Sequence, residues 1–167
     1  HQTQMQNFLT LANFESRYTA HSDSIMNAAL DRPAEYESGA TKRRTAAAGE
    51  KLLRYLLFAD EFQLTAPVKG TSEFAAEFSQ QGPRDSRGRS LRNFDLQTRM
   101  FKYPCSYLIY SASLDQLPDP VKRYVTRRLK EVLTARETND EFSNLSAEDR
   151  KAILEILTET KPDLWQP

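Results

Sequence analysis

The stretch DPVKRYVTRRLKEVL, residues 119–133, decides the fold class of this chain. Asp119 followed by Pro120 is typical of a helix start, because aspartate caps the first amides and proline needs no amide hydrogen there. Apolar residues then recur at spacings of three and four, the period of a helix that buries one face. These apolar residues are Val121, Tyr124, Val125, Leu129, Val132 and Leu133. The stretch therefore predicts an amphipathic helix packed on a core.

The same period appears on both sides of this stretch. Residues 4–30 carry apolar side chains at spacings of three, four and seven and predict one helix or two. Residues 41–58 predict a helix with a broad apolar stripe. Ser146 and Asp149 approximate a capping box for a last helix, which Pro162 ends.

Shorter helices are predicted between these long ones. One begins at Thr71 or Ser72, one has Ser90 as its N-cap, and one, predicted to be central, spans residues 104–114. A polar break is predicted over residues 138–144. No run of four or more residues alternates between apolar and polar. We therefore predict an all-α fold, an irregular bundle of about seven helices that forms a single domain over residues 1–167.

Composition limits the possible functions. Lys plus Arg (23) equals Asp plus Glu (23), so the chain has no net charge with which to attract nucleic acid or an anionic membrane. The longest apolar runs are far shorter than the roughly 20 residues of a membrane span. We expect neither a nucleic-acid partner nor a transmembrane segment.

Residues suited to metal binding or catalysis are few. The chain has two histidines, His1 and His21, and one cysteine, Cys105, and it lacks the well-known enzyme motifs. We therefore predict no metal site, no cofactor and no catalytic residue. Leu108 and Ile109 indicate that Cys105 lies on an apolar face and reacts slowly, although a thiol at a helix N-terminus can be activated.

Two basic clusters remain. Lys122, Arg123, Arg127, Arg128 and Lys130 lie on the helix after Pro120 and predict a solvated face. The second cluster is a loop that consists of Arg84, Arg87, Arg89 and Arg92 with Ser90. This loop could bind an anion or an acidic partner, because its glycines let backbone amides turn inward, a predicted helix N-terminus follows it, and arginine offers paired hydrogen-bond donors. In the competing hypothesis these arginines hold the loop in place by pairing with Asp85, Asp95, Asp60 or Glu61.

A resemblance adds context to these residues. The pattern QGPRDSRGRSLRNFDL over residues 81–96, continued by FKYPCSYLIYS over residues 101–111, resembles the C-terminal region of a family of uncharacterised bacterial proteins. The resemblance covers residues 50–165 and assigns no activity. It implies that the chain is the C-terminal part of a longer, exported protein, and therefore a periplasmic or secreted location.

The leading functional hypothesis is a non-catalytic binding domain, with the arginine-containing loop as its contact for an anionic ligand or a protein partner. Two alternatives stay open. One is an enzyme, or an accessory domain of an enzyme, with a tyrosine-lined pocket near Cys105. The other is an exported protein associated with copper or haem, in which His1 and His21 would hold copper.

Overall fold

The computed structural model describes residues 1–70, 72–134 and 140–166. Within these ranges the chain forms six α-helices and three short 3-10 helices, and its only strand-like pairing is one isolated bridge. The predicted all-α class is confirmed, and the number of helices is close to the predicted seven. The predicted helix start at Thr71 and part of the predicted polar break over residues 138–144 lie outside the described residues.

The helices follow one another along the chain. The α-helices are α1 (Gln2–Ala29), α2 (Gly39–Leu56), α3 (Phe74–Gln80), α4 (Ala112–Asp115), α5 (Asp119–Thr134) and α6 (Ala147–Thr160). The 3-10 helices are Tyr107–Tyr110, Asp140–Phe142 and Pro162–Trp165. No helix of the described residues has the length and apolar character needed to cross a membrane.

Three long helices surround the core. Helix α1 is continuous and packs on α2, which packs in turn on α5. Gly49 allows the close approach of α2 and α5, since a Cβ atom there would lie 2.5 Å from the ring of Tyr124. The largest fully buried side chains are Met5, Leu52, Leu53, Leu56, Leu57, Leu91, Ile109, Leu129, Phe142, Leu145, Ile153 and Ile156.

Capping fixes where two helices begin. The Ser38 hydroxyl accepts a hydrogen bond from the amide of Thr41 and caps α2. The predicted capping box of α6 is confirmed, because Ser146 and Asp149 each accept a hydrogen bond from the other's amide. The Asp149 carboxylate also accepts three hydrogen bonds from the Arg99 guanidinium, which attaches the turn region before residue 100 to the start of α6.

The predicted helix after Ser90 is wrong. Residues 91–100 form turns, and the Ser90 hydroxyl caps only a local turn by accepting a hydrogen bond from the amide of Arg92. The amide of Ser90 donates to the side chain of Asn93 at 2.7 Å. These short-range bonds compete with helical ones, as serine and asparagine side chains commonly do.

The chain then reverses direction. Phe94 and Phe101 form the antiparallel bridge, and Leu96 between them has a φ of 59°, in the left-handed region. The Asp95 carboxylate accepts hydrogen bonds from the amide and the hydroxyl of Thr98. Asp95 thus uses amides that a helix would have needed, and the 3.6-residue period of Leu91 and Phe94 is broken.

The predicted central helix over residues 104–114 is also wrong in its secondary structure. Ser106 caps the start of the 3-10 helix Tyr107–Tyr110. Ser111 has an extended backbone, which ends this 3-10 helix, and its hydroxyl caps α4. Two serine caps five residues apart divide the segment into short pieces. The segment is nevertheless central, because Cys105 and Ile109 are fully buried.

Candidate functional site

The arginine loop, residues 82–92, is built around a buried carboxylate. Gly82 and Gly88 have φ angles of 78° and 74°, which glycine adopts without strain. Asp85 accepts hydrogen bonds from the amides of Arg87 and Arg89, and its carboxylate pairs with the Arg89 guanidinium at 2.6 Å. Burial alone would raise the pKa of Asp85, but these hydrogen bonds and the Arg89 charge lower it.

Two glutamates of α6 hold the outer side of the loop. Arg87 and Arg89 both donate to Glu155, at 3.0 and 2.8 Å. Glu159, one turn later, accepts hydrogen bonds from the amide and the hydroxyl of Ser86. The hydrogen bond from Arg89 lowers the pKa of Glu155, and the charge of Arg87 adds to this effect. The loop is therefore attached to α6 at two points.

The other two arginines also have partners within the chain. Arg84 donates to the carbonyl oxygens of Gly88 and Ser79. The Arg92 guanidinium lies 4.6 Å from the ring centroid of Phe78 and 4.3 Å from that of Tyr107, in cation–π contact with both. Of the five residues predicted as the site, Ser90 is buried, whereas Arg84 and Arg87 are exposed.

The carboxylates considered for these arginines have different partners. Asp85 pairs with Arg89, as the competing hypothesis predicts, whereas Asp60 pairs with Arg54 at 2.6 Å. Glu61 accepts a hydrogen bond from the amide of Met100, and Asp95 caps the turn described above.

Cys105 is inaccessible. The residue is 0% exposed, and burial raises the pKa of its thiol. The tyrosines expected to line a pocket beside it pack with the core: Tyr103 is buried, and Tyr110 shares a hydrogen bond of 2.6 Å with the Thr160 hydroxyl. Burial raises the pKa of Tyr110 to about 12. A buried thiol with a raised pKa does not supply a nucleophile to a substrate in solvent.

The two histidines are far apart. His1 immediately precedes α1, and its ring stacks on Tyr55 and Phe58, with a ring nitrogen 2.7 Å from the Ser106 hydroxyl. His21 is exposed, farther along the same helix by about 30 Å at 1.5 Å per residue. The two imidazoles cannot therefore bind one metal ion. Among the described residues no group of three or more metal-ligating side chains is present.

The second basic region lies on the exposed face of α5. Arg123, Arg127 and Lys130 follow one another at spacings of four and three, so they share one face of the helix. The side chains of Arg123 and Arg127 are 68% and 63% exposed. Their ion pairs with Asp119 and Glu131 are long, at 3.9 and 3.5 Å, and exposed to solvent. Pairs of this kind contribute little to stability and leave the cations accessible.

A groove of about 660 Å³ runs beside this face, between α5 and the 3-10 helix Pro162–Trp165. We call it the α5 groove. Five cations and three carboxylates line it, and one of each, Lys161 and Asp115, form a pair at 2.7 Å. The lining residues are Asp115, Asp119, Lys122, Arg123, Thr126, Arg127, Lys130, Lys161, Asp163, Leu164, Trp165 and Gln166.

Trp165 gives the α5 groove an aromatic wall. The Lys130 ammonium lies 5.9 Å from the centroid of the indole ring. The indole nitrogen of Trp165 is buried and has no hydrogen-bond partner among the described residues. The groove therefore combines accessible cations with an aromatic face.

Arg123 and Arg127 also line a second groove, of about 620 Å³, between α2 and α5. Lys42 and Tyr124 contribute to its walls, and the buried hydroxyl of Thr45 there has no partner among the described residues. The two arginines thus form the ridge between the two grooves.

Sequence reasoning assigned the α5 cluster to a solvated face and did not connect it with Trp165. The helical spacing correctly indicated that Arg123 and Arg127 share a face. The prediction was wrong for Arg128, whose side chain is 24% exposed and pairs with Glu50 at 3.3 Å and with Glu131 at 2.9 Å. Nothing local indicated the contact between Lys130 and Trp165, because the two residues belong to different elements. Comparisons of the chain with models of protein families, with curated proteins and with solved structures gave no match.

Proposed function

We propose that this chain is a non-catalytic binding domain that takes up an acidic segment of a partner protein along the α5 groove. One observation carries the proposal: Arg127 and Lys130, exposed and without a strong internal ion pair, lie beside Trp165 in an open groove.

The spacing of the cations fits an extended acidic segment. Side chains one helical turn apart, such as Arg123 and Arg127, lie about 5–6 Å from each other. Alternate side chains of an extended peptide point to the same side at intervals of roughly 6–7 Å. Acidic residues at alternate positions would therefore meet successive cations. The guanidinium groups would pair with the carboxylates through two parallel hydrogen bonds.

The size and charge of the groove agree with a short segment. Its volume lies within the range of about 300–1,000 Å³ that is usual for ligand sites. Because the chain has zero net charge, it lacks the extended positive field that would attract a long nucleic acid. The resemblance to an exported bacterial family extends the proposal to a partner in the periplasm or outside the cell.

The arginine loop has a different role in this proposal. Its guanidinium groups already contact Asp85, Glu155, backbone carbonyls and aromatic rings. An anion at the loop would have to displace these partners, whereas an anion at α5 would displace only solvent-exposed pairs. We therefore assign binding to α5 and bracing to the loop.

The test is a titration with a short fluorescein-labelled peptide in which glutamate alternates with threonine, followed by fluorescence anisotropy. The control peptide has glutamine in place of glutamate. Replacing Arg127 and Lys130 by Gln should weaken binding of the acidic peptide roughly tenfold or more, the effect of losing charge-assisted hydrogen bonds. Trp165, the only tryptophan, provides a second readout through its own fluorescence.

A matched control removes the same charge elsewhere. Replacing Arg84 and Arg87 by Gln should leave the affinity within about twofold, since no α5 contact is lost. If the loop variant loses binding and the α5 variant keeps it, the loop is the binding site and the proposal is wrong. Equal affinity for the glutamine peptide would also contradict it.

A further inference from the structure

Helix α1 has a second apolar face that is largely exposed, although the Arg44 guanidinium lies 5.0 Å from the centroid of the Tyr18 ring. Its inner face buries Met5, Leu9 and Ala12 against the core. On the outer side Leu11, Phe14, Tyr18 and Ile25 are exposed, with exposed fractions of 36%, 58%, 50% and 57%. We call the outer set, from Gln4 to Ala28, the α1 seam.

The α1 seam has the spacing of a helix that pairs with another helix. The spacing between successive members alternates between three and four residues, which is the heptad pattern of a coiled coil. They are Gln4, Asn7, Leu11, Phe14, Tyr18, His21, Ile25 and Ala28, all exposed. None of these positions holds Asp, Glu, Lys or Arg. A helix that only covered its own core would not need a second apolar stripe of this period.

We infer that the α1 seam binds a second copy of this chain, forming an antiparallel two-fold dimer. A two-fold axis between Tyr18 and His21 places Tyr18 of one copy against His21 of the other. The same axis places Phe14 against Ile25 and Leu11 against Ala28. Every apolar seam residue then meets an uncharged one, and each large side chain meets a different partner, as a self-complementary interface requires.

The charges beside the seam are compatible with this arrangement. Arg17 of one copy lies opposite Ser22 of the other, so the two Arg17 side chains do not face each other across the axis. Glu15 is already paired with Arg44 of its own chain at 3.0 Å. The antiparallel order also sets the two helix dipoles in opposition, which is the favourable arrangement.

The overlap between the two helices predicts a weak dimer. With this axis Gln4 and Asn7 would face positions beyond the end of α1, so the paired part of the seam runs from Leu11 to Ala28, about 26 Å at 1.5 Å per residue. A single helix pair of that length is smaller than a standard interface of ~800 Å² per partner and belongs with the small, weakly bound ones. Tyr18 lies next to the axis, and its ring stacks on Phe14 of the same chain with centroids 5.8 Å apart.

Measuring the molecular mass of the chain in solution tests this inference. Light scattering after size exclusion and sedimentation should both be used at protein concentrations of about 1 µM to 1 mM, the range of a modest dimer affinity. We expect twice the monomer mass at the upper concentrations. Replacing Phe14 and Ile25 by Glu should give a monomer throughout, with an unchanged helical circular dichroism spectrum. The matched control replaces Phe62 and Phe74, exposed apolar residues outside α1, by Glu and should still dimerise.

Crosslinking tests the orientation. Two cysteines, Tyr18→Cys with His21→Cys, should form a covalent dimer under mild oxidation, whereas Tyr18→Cys alone should not; the native Cys105 is buried. A covalent dimer of the single variant would indicate a parallel pair and overturn the antiparallel assignment. A monomeric wild type at every concentration would overturn the inference as a whole, and a Phe14 and Ile25 variant that still dimerises would do the same. The acidic-peptide affinity of the α5 groove is a separate measurement and does not depend on the α1 result.

Discussion

The arginine loop and the exposed face of α5 contain the same kind of residue but use it in different ways. Arg89 of the loop is 17% exposed in its side chain and lies within 2.8 Å of two carboxylate groups, those of Asp85 and Glu155. Arg123 and Arg127 of α5 are more than half exposed, and their nearest carboxylates are 3.9 and 3.5 Å away. The loop holds Arg89 between two carboxylates, whereas α5 presents Arg123 and Arg127 to solvent.

The positions of the carboxylates explain this difference. Glu155 and Glu159 lie one turn apart on α6 and both contact the loop, while Asp85 is buried inside it. The carboxylates nearest to the α5 cations, Asp119 and Glu131, belong to the same helix and are exposed as well. An arginine cluster therefore acts as a brace where acids of other elements face it, and it stays available for a ligand where they do not.

Replacing Arg89 should have the largest effect on the free energy of unfolding. In Arg89→Ala the Asp85 carboxylate stays buried without its countercharge, and breaking a buried pair lowers the free energy of unfolding by about 3 kcal/mol or more. Urea unfolding followed by circular dichroism measures this. Arg84→Ala is the control, because Arg84 is exposed and contacts only backbone carbonyls, so its loss should change the value by less than about 1 kcal/mol. Equal stability of the two variants would contradict the bracing role.

The second largest effect is expected from acid, which should lower the stability that the loop carboxylates contribute. Asp85 and Glu155 have lowered pKa values in the folded chain, so the folded state binds fewer protons than the unfolded state in the acid range. Their contribution to stability is complete above the ordinary values, 3.8 for Asp and 4.5 for Glu, and is lost as the pH falls through the folded values. Melting temperatures from pH 6 to pH 2 should therefore decrease below about pH 4.5. Asp85→Asn should show a smaller decrease, and an identical pH profile would count against this explanation.

The comparison also shows what the sequence could predict. Local signals were sufficient for α5, with Asp119 and Pro120 at its start, and for the capping box of α6. The helix after Ser90 was predicted wrongly because Asp95 takes the amides that a helix would have used. The partners of the loop could not be found from spacing, since Glu155 lies 68 residues from Arg87. The contact of Lys130 with Trp165 was missed for the same reason.

Cys105 can report on the opening of the loop region. In the wild type its thiol should react slowly with a thiol reagent, because it is buried and burial raises its pKa. Arg89→Ala should accelerate the reaction by up to on the order of a hundredfold, the factor that corresponds to roughly 3 kcal/mol. The Arg127 and Lys130 variant should react at the wild-type rate. Rapid modification of the wild type would show that the core around Cys105 opens far more often than its burial indicates.

The smallest effect on stability is expected on α5. Replacing Arg127 and Lys130 by Gln removes one exposed ion pair of 3.5 Å and two cation–π contacts, that of Arg127 with Tyr124 at 5.5 Å and that of Lys130 with Trp165 at 5.9 Å. Such surface contacts are each worth about 1 kcal/mol or less, so the free energy of unfolding should stay within about 1 kcal/mol of the wild type. Urea unfolding measures this on the same samples that are titrated with the acidic peptide. Lost peptide binding at unchanged stability would distinguish the α5 cations from the arginine loop, because Arg89→Ala should lower stability and leave peptide binding unchanged. A large loss of stability would instead mean that the α5 cations brace the fold as the loop arginines do.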